Sequence, residues 1–305
     1  MPEFDAYLIV DWSASSRPVR QCNSVWYCLV IRTEGNFSVV ELNNPATRHQ
    51  AVAEINAILR RLARQEQMTL VGFDFPYGYP AGFAQALGLT DTHAWLSVWR
   101  EIDNRIVDRD DNSNNRFEVA GDLNRCISSR CYPFWGCPKG RVSATLSSTK
   151  GGPGHLAEYR RTDIGKMQPT WKLFQNGSVG SQALLGIPHL RALRNDAVLS
   201  PVSRVWPFET GLFVLPSRQN RDYLIVHAEI YPSLLPIQPT AGAVKDAVQV
   251  RTIASHFAAL DDAGELSRLF AGPTDLTQDD RERIEQEEGW TLGVVSRRQV
   301  QCTAM

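Results

Sequence analysis

The sequence predicts an α/β fold, with a mixed five-stranded sheet flanked by helices. Two observations lead to this prediction. Short runs rich in Val, Ile, Leu and aromatic residues have the length of β-strands, and they cover residues 6–11, 24–32, 37–42, 70–73 and 223–230. Apolar residues also recur every three or four positions, as in an amphipathic helix, over residues 48–65 and 243–260.

The predicted strands are bounded by turn and stop signals. Gly35 and Asn36 separate the second run from the third, and both residue types tolerate a positive φ, so we expect a hairpin there. The first run ends in Asp11. The fourth leads into Asp74 and then Pro76, which ends strand pairing because proline has no N–H to donate. Two early strands therefore end in carboxylates.

The last predicted strand and the helix after it also carry acids. Glu229 lies close to the end of the strand, and Pro232 marks its stop. Asp246 lies in the first turn of the following helix, where the helix dipole favours a negative charge.

The middle of the chain differs in composition from both ends. Residues 92–107 and 181–194 have helical spacing, but residues 108–172 are rich in Gly, Pro, Ser and Asn and show little periodicity. A loop-rich stretch of this length is more often functional than accidental. We expect one domain over residues 1–305, with a basic, loop-rich insertion after the fourth strand over 91–200 and a helical C-terminal extension over 261–305.

Charge is balanced over the chain and concentrated in one segment. The 32 Lys and Arg against 33 Asp and Glu give a net charge of −1, which excludes a uniformly basic coat protein and an acidic disordered chain. Residues 124–172, however, hold nine basic and two acidic residues, a net charge of +7, interleaved with Tyr, Phe and Trp. Such side chains neutralise phosphates and stack on bases, so nucleic acid is an expected partner.

Nothing in the sequence indicates a membrane span or a secretory signal. The apolar run before Asp11 is far shorter than the ~18 residues that a bilayer requires. The N-terminus is acidic and lacks a basic leader segment. Six cysteines are too few for a disulfide scaffold in 305 residues. We expect a cytoplasmic protein with free thiols and no membrane partner.

The four carboxylates are candidates for one metal site. Divalent cations take hard oxygen ligands from several elements, and two such ions generate a nucleophile and stabilise the leaving oxygen of a phosphodiester. We therefore expect Mg²⁺ or Mn²⁺ as the cofactor. The expected metal-binding and catalytic residues are Asp11, Asp74, Glu229 and Asp246.

Short motifs around these acids resemble a known family. Val-Asp-Trp-Ser at 10–13, Phe-Asp-Phe-Pro at 73–76, Glu-Ile-Tyr-Pro at 229–232 and Lys-Asp-Ala at 245–247 resemble a bacterial domain-of-unknown-function family of predicted ribonuclease-H-like nucleases. The resemblance covers both ends of the chain and leaves out the basic middle. It implies a ribonuclease-H-like sheet, a nuclease or related hydrolase activity, and magnesium held by the four acids.

Several residues are expected to bind the substrate phosphate. Ser13 follows the first acid, and Lys150 lies in a glycine-rich loop that lacks the order of residues of a phosphate-binding P-loop. The other candidates are basic residues of the insertion. The full set is Ser13, Lys150, Arg160, Arg161 and Lys166.

Two other functions fit the same residues. On the same fold the acids would also suit a small phosphorylated or anionic metabolite, with the insertion acting as a lid. A sugar-kinase or actin-like ATPase is disfavoured because the turns after Asp11 and Asp74 are not glycine-rich. In a non-catalytic protein, the acids would serve only as caps and turn residues.

Overall fold

The fold is built on one six-stranded sheet. The structure, a computed structural model, describes residues 2–33, 35–175, 177–236 and 242–294. The strands follow the spatial order β3-β2-β1-β4-β6-β5. Their bounds are Ala6–Asp11 (β1), Trp26–Thr33 (β2), Asn36–Asn43 (β3), Thr69–Phe73 (β4), Ser203–Val205 (β5) and Ile225–Glu229 (β6).

Strand directions bring several strand ends to one edge. β1, β2 and β3 form an antiparallel meander, in which Asp11 of β1 lies opposite Trp26. β1 runs parallel to β4, β4 to β6, and β5 to β6. The carboxyl ends of β1, β4 and β6 therefore lie side by side, and Asp11, Asp74 and Glu229 fall at or next to them.

The sheet has six strands, so the prediction of five was wrong in number. The additional strand, β5, has only three residues and pairs with one edge of β6. Three residues are too few to show the alternation that identifies a strand in a sequence. The mixed α/β architecture with flanking helices is confirmed.

Eight α-helices occur in the described ranges. They are Arg48–Arg64 (α1), Phe83–Ala86 (α2), Ala94–Arg105 (α3), Arg116–Ser128 (α4), Gly180–Arg194 (α5), Lys245–Asp262 (α6), Leu266–Leu269 (α7) and Gln278–Arg283 (α8). The π-helical turn Ile284–Glu288 follows α8 directly. None of the described helices combines the length and apolar character needed to cross a membrane.

Helix α4 lies within the stretch expected to be loop. Its interior contains Gly121 and the polar residues Asp122 and Asn124, which weaken the sequence signal for a helix. In the structure Asn124 is buried, and its amide donates to the carbonyl oxygens of Phe134 and Thr145 at 2.8 and 2.7 Å. Tertiary hydrogen bonds therefore stabilise a helix that local propensity does not favour.

The two faces of the sheet bury separate cores. Along β1, Leu8 and Val10 belong to one apolar cluster, whereas Tyr7 and Ile9 belong to the other, as strand alternation requires. α1, α3 and α5 contribute to the first cluster and α6 to the second. The protein therefore has three layers, with helices on both faces of the sheet.

Segments outside the sheet pack closely against both ends of its strands, with α5 at the carboxyl edge and the end of α6 at the amino end of β1. A Cβ added at Gly186 of α5 would lie 2.4 Å from the ring of Phe75, so only glycine allows this helix to approach so closely. From the C-terminal extension, Oδ2 of Asp261 accepts hydrogen bonds from the backbone of Phe4 and the hydroxyl of Tyr7. The last part of that predicted extension, residues 295–305, lies outside the described residues.

Candidate functional site

A cleft of about 860 Å³ opens at the carboxyl edge of the sheet. Its walls come from the ends of β1 and β4, the loop between β1 and β2, the first turns of α6 and the end of the insertion. Three of the four predicted acids line it, namely Asp11, Asp74 and Asp246.

Asp11 is the last residue of β1 and is partly buried at the bottom of the cleft. Its carboxylate accepts no hydrogen bond from any described residue. Removal from bulk water, followed by repulsion from Asp74 and Asp246, raises the pKa of Asp11 well above its usual value, and Lys245 opposes this only in part. Asp11 therefore lies among like charges without a direct partner.

Asp74 follows β4, the strand next to β1. Val10 pairs with Phe73, so Asp11 and Asp74 stand at adjacent strand ends. Oδ1 of Asp74 accepts a 2.6 Å hydrogen bond from the backbone N–H of Trp12. Burial nevertheless raises the pKa of Asp74 to about 7, with a further contribution from Asp246.

Asp246 reaches the cleft from a different element. It lies in the first turn of α6, and its Oδ2 accepts a 3.1 Å hydrogen bond from the backbone N–H of Asn23. That bond ties the β1–β2 loop to the helix. The third carboxylate is therefore held by tertiary contact across the cleft.

The donor set fits a divalent cation. Within the described parts of the chain, no Lys, Arg or His nitrogen lies within 4.0 Å of these three carboxylates. Carboxylates that are close together, partly desolvated and unpaired cost free energy, which a bound cation would offset. Their ligand atoms do not all lie within 4.8 Å of one another, so the acids span the cleft rather than forming one tight triad.

Glu229, the fourth predicted metal ligand, does not line this cleft with the other three acids. It is buried, and all of its hydrogen-bonding capacity faces the protein. Arg160 donates to both of its oxygens at 2.7 Å, and the backbone N–H of Tyr77 and the hydroxyl of Thr291 complete the set at 2.9 and 2.7 Å. Glu229 joins the insertion to the end of the sheet.

Arg160 and Arg161 are also placed differently from the prediction that they bind substrate anions. Arg160 is fully buried between Glu229 and Asp163, and those carboxylates raise its pKa although burial lowers it. Arg161 pairs with Asp280 and Glu288 of the C-terminal extension. Both guanidinium groups are engaged within the protein.

The other predicted phosphate ligands fall into two groups. Ser13 and Lys166 line the cleft. The hydroxyl of Ser13 donates to the carbonyl oxygen of Asn23 at 2.7 Å. Lys150 lies elsewhere, in an ion pair with Glu158 at the rim of a separate pocket.

Two basic residues of the cleft were not identified from the sequence. Arg17 and Lys245 line it together with Lys166, and none of the three forms an ion pair within the described ranges. Neither was distinguishable in sequence, because Arg17 lies in a polar loop and Lys245 at a helix start. The cleft thus presents free cations beside its carboxylates.

Arg48 is a further residue that the sequence did not reveal. This buried side chain donates to the carbonyl oxygens of Ser13 and Ser15 at 3.0 and 2.7 Å, and to both oxygens of Asp108. It shapes the loop that follows Asp11. The one available signal was its place in the first turn of α1, where the helix dipole disfavours a positive charge.

One compact group of potential metal ligands lies beside Arg48. Ligand atoms of His49, Asp108 and His189 all lie within 4.8 Å of one another, so the group can hold a metal ion. Its members already have partners, however. Burial would raise the pKa of Asp108, but hydrogen bonds from Arg48 and His189 lower it to about 2. The group forms a polar network with Arg48, which also donates to the Ser13 and Ser15 carbonyl oxygens.

Comparison with known proteins adds no assignment. No family model matches the chain, and no curated protein or solved structure shows significant similarity to it. The geometry of the cleft is therefore the basis for assigning a function.

Proposed function

We propose that the protein is a divalent-metal-dependent phosphoryl-transfer enzyme with a ribonuclease-H-like architecture, and most simply a nuclease. One observation carries the proposal. Asp11, Asp74 and Asp246 converge from two parallel strand ends and a helix start on one open cleft, and no described cation neutralises them.

The strand arrangement supports the architectural part of the proposal. An antiparallel meander, β3-β2-β1, continues into the parallel strand β4, and acids follow the first and fourth strands. This is the arrangement that the sequence resemblance implies. The short strand β5 adds an edge to it without changing the placement of the acids.

Asp11 and Asp74 would hold Mg²⁺ or Mn²⁺, and Asp246 would complete the shell from the opposite wall. The bound metal would lower the pKa of a water molecule and polarise the phosphate. Arg48 would keep the Ser13–Ser15 backbone in place beside Asp11. Arg17, Lys166 and Lys245 would attract and orient the phosphate through their unpaired charges.

A smaller phosphorylated substrate is the second candidate, and the ion pairing of the insertion favours it. Several of the basic residues that suggested a nucleic-acid surface are matched by nearby acids. These residues are Arg125, Arg141, Lys150, Arg160 and Arg161, paired with Asp122, Glu118, Glu158, Asp163 and Asp280 respectively. Arg17, Lys166 and Lys245 line the cleft without an ion pair among the described residues, and a single phosphate group would suffice to bind there.

Cleavage of labelled single-stranded DNA and RNA, with and without Mn²⁺, tests the proposal. We expect metal-dependent cleavage by the wild type and by Asp275→Asn, a control change at an exposed acid, and none by Asp74→Asn. Hydrolysis of nucleotides but not of oligonucleotides would favour the second candidate. Equal activity of Asp74→Asn and wild type would contradict both.

A further inference from the structure

A second pocket lies within the insertion, apart from the carboxylate cleft. Its volume is about 190 Å³. Tyr132, Trp135 and Trp171 supply aromatic walls, and the glycine-rich segment 150–154 closes one side. A small, partly enclosed space with several aromatic walls matches the shape of a planar ring ligand.

Trp135 is the wall best placed to contact a ligand. It is partly exposed, and its indole makes no ring contact with another aromatic side chain of the described chain, unlike Trp171, which packs on Tyr79, Phe83 and Phe134. Its indole N–H donates no hydrogen bond to a described residue either. Trp135 therefore retains both an unstacked ring and an unused donor.

The rim of the pocket offers both kinds of hydrogen-bonding group. Nζ of Lys150 and Oε2 of Glu158 form a partly exposed ion pair there, 2.5 Å apart. The ammonium group is a donor and the carboxylate is an acceptor. Nucleobases carry ring acceptors beside N–H donors, so one edge of a base meets both halves of this pair.

The backbone shows that the glycine-rich segment is fitted to the pocket. A Cβ added at Gly154 would lie 2.0 Å from the Tyr132 ring, and one added at Gly151 would lie 2.2 Å from the carbonyl oxygen of Cys131. At Gly152, between them, a Cβ would meet nothing within 4 Å. The segment thus closes against Tyr132 at positions that tolerate only glycine.

The pocket is connected to the cleft by a short piece of chain. Gln168 lines the cleft and Trp171 lines the pocket. Three residues of extended chain span at most about 11 Å. The cleft and the pocket therefore have lining residues whose Cα atoms lie within about 11 Å of each other.

We propose that this aromatic pocket binds a nucleobase. The inference extends the proposed function, since the base would belong either to an oligonucleotide held in the cleft or to a free nucleotide. Ring stacking on Trp135 would supply most of the affinity, because base–aromatic contacts are strong and tolerate any base. The Lys150–Glu158 pair would orient the edge of the ring.

Calorimetric titration of adenosine 5′-monophosphate in the presence of a metal chelator tests the pocket without any contribution from metal or catalysis. Ribose 5-phosphate serves as the base-free probe. We expect the wild type and Gly152→Ala to bind the nucleotide equally and the sugar phosphate at least about tenfold more weakly. Gly154→Ala, which forces the segment away from Tyr132, should lose about tenfold or more in nucleotide affinity.

A second variant guards against misfolding of Gly154→Ala. Trp135→Leu keeps the apolar character and removes the aromatic ring, and the same loss is expected. Equal affinity of the two glycine variants and Trp135→Leu, or no nucleotide binding by the wild type, would overturn the inference. Cleavage assays would be unaffected by that result, so the proposed function would be judged separately.

The source of the base is decided by comparing ligands. A trinucleotide that binds more tightly than the mononucleotide to wild type, but not to Lys166→Ala, would show that a base of a strand occupies the pocket. Equal affinities for the two ligands would assign the pocket to free nucleotides.

Discussion

The backbone N–H of Trp12 donates a 2.6 Å hydrogen bond to Oδ1 of Asp74. This bond joins the residue after one strand end to the acid after its parallel neighbour. It fixes the orientation of the Asp74 carboxylate while leaving Asp11, one residue earlier, without a hydrogen-bond partner among the described residues. The Asp74 carboxylate is therefore oriented by a hydrogen bond, whereas the neighbouring Asp11 carboxylate has none.

The first prediction concerns the cost of this arrangement. In a metal chelator at pH 8, Asp74→Asn should be more stable than the wild type by on the order of 1 kcal/mol. The folded-state pKa of about 7 lies above the ordinary value of 3.8, so the folded protein holds a proton that it loses as the pH rises through 7. An asparagine keeps the oxygen that Trp12 bonds and removes the charge.

Urea unfolding at pH 8 and pH 5 measures this effect. The advantage of Asp74→Asn should shrink at pH 5, where the folded wild type is itself protonated at this position. Asp275→Asn should change little at either pH. A less stable Asp74→Asn at pH 8 would show that the carboxylate is a favourable structural partner.

The second prediction concerns a buried histidine. His227 of β6 is fully buried, its Nε2 lies 2.8 Å from the Ser203 hydroxyl, and its Nδ1 has no partner among the described residues. Burial lowers the pKa of His227 to about 3. Below about pH 6.5 the histidine therefore binds a proton in the unfolded chain but stays neutral in the folded protein. The free energy of unfolding should fall as the pH drops from 6.5 towards 3.

Chemical denaturation across this pH range tests the role of His227. We expect His227→Gln to be less stable than the wild type at pH 7.5 but to show a shallower decline below pH 6.5. His155→Gln, an exposed control, should retain the wild-type slope. An unchanged slope in His227→Gln would rule out this histidine as the cause.

The third prediction distinguishes the paired acid Glu229 from the proposed metal ligands. Glu229→Ala should lose about 3–5 kcal/mol of stability, because it leaves the buried Arg160 with Asp163 as its remaining carboxylate partner. Glu118→Ala breaks an exposed ion pair with Arg141 and should cost at most about 1 kcal/mol. Thermal unfolding measures both, and similar small losses would mean that Glu229 does not anchor the insertion.

The fourth prediction concerns the packing of α5 on the sheet edge. Gly186→Ala should destabilise the protein by about 1–3 kcal/mol, since the new Cβ would overlap the Phe75 ring. Helix propensity alone would give a gain of about 1 kcal/mol. Gly121→Ala, inside helix α4, where the nearest atom to a new Cβ would be 3.4 Å away, is the helical control. A stabilised Gly186→Ala would show that α5 can shift without cost.

Site residues that follow from a local sequence pattern could be predicted, whereas contacts between distant parts of the chain could not. Asp11 and Asp74 were identifiable because apolar strands end directly before or at them, and parallel neighbours bring such ends together. Glu229 has the same local pattern, but its partner Arg160 lies 69 residues away in the chain. No local sequence pattern indicates that these two side chains pair with each other and do not line the cleft.

The same distinction explains the basic residues. A count of charges gave the insertion a net positive character, but pairing with Glu158, Asp280 and other acids is decided by packing. Lys245 belongs to the Lys-Asp-Ala motif but was not predicted to bind substrate, yet it lines the cleft beside Asp246 and forms no ion pair among the described residues. Charge composition therefore predicts an anionic partner, but it does not indicate which basic residues are already paired with acids.

The most direct measurement is a calorimetric titration of Mn²⁺ into the wild type and into Asp11→Asn, side by side. We expect saturable binding by the wild type that is weakened at least about tenfold in Asp11→Asn, with Asp275→Asn behaving as wild type. Equal Mn²⁺ affinity in wild type and Asp11→Asn would contradict the central claim that the carboxylates at the strand ends form the metal site.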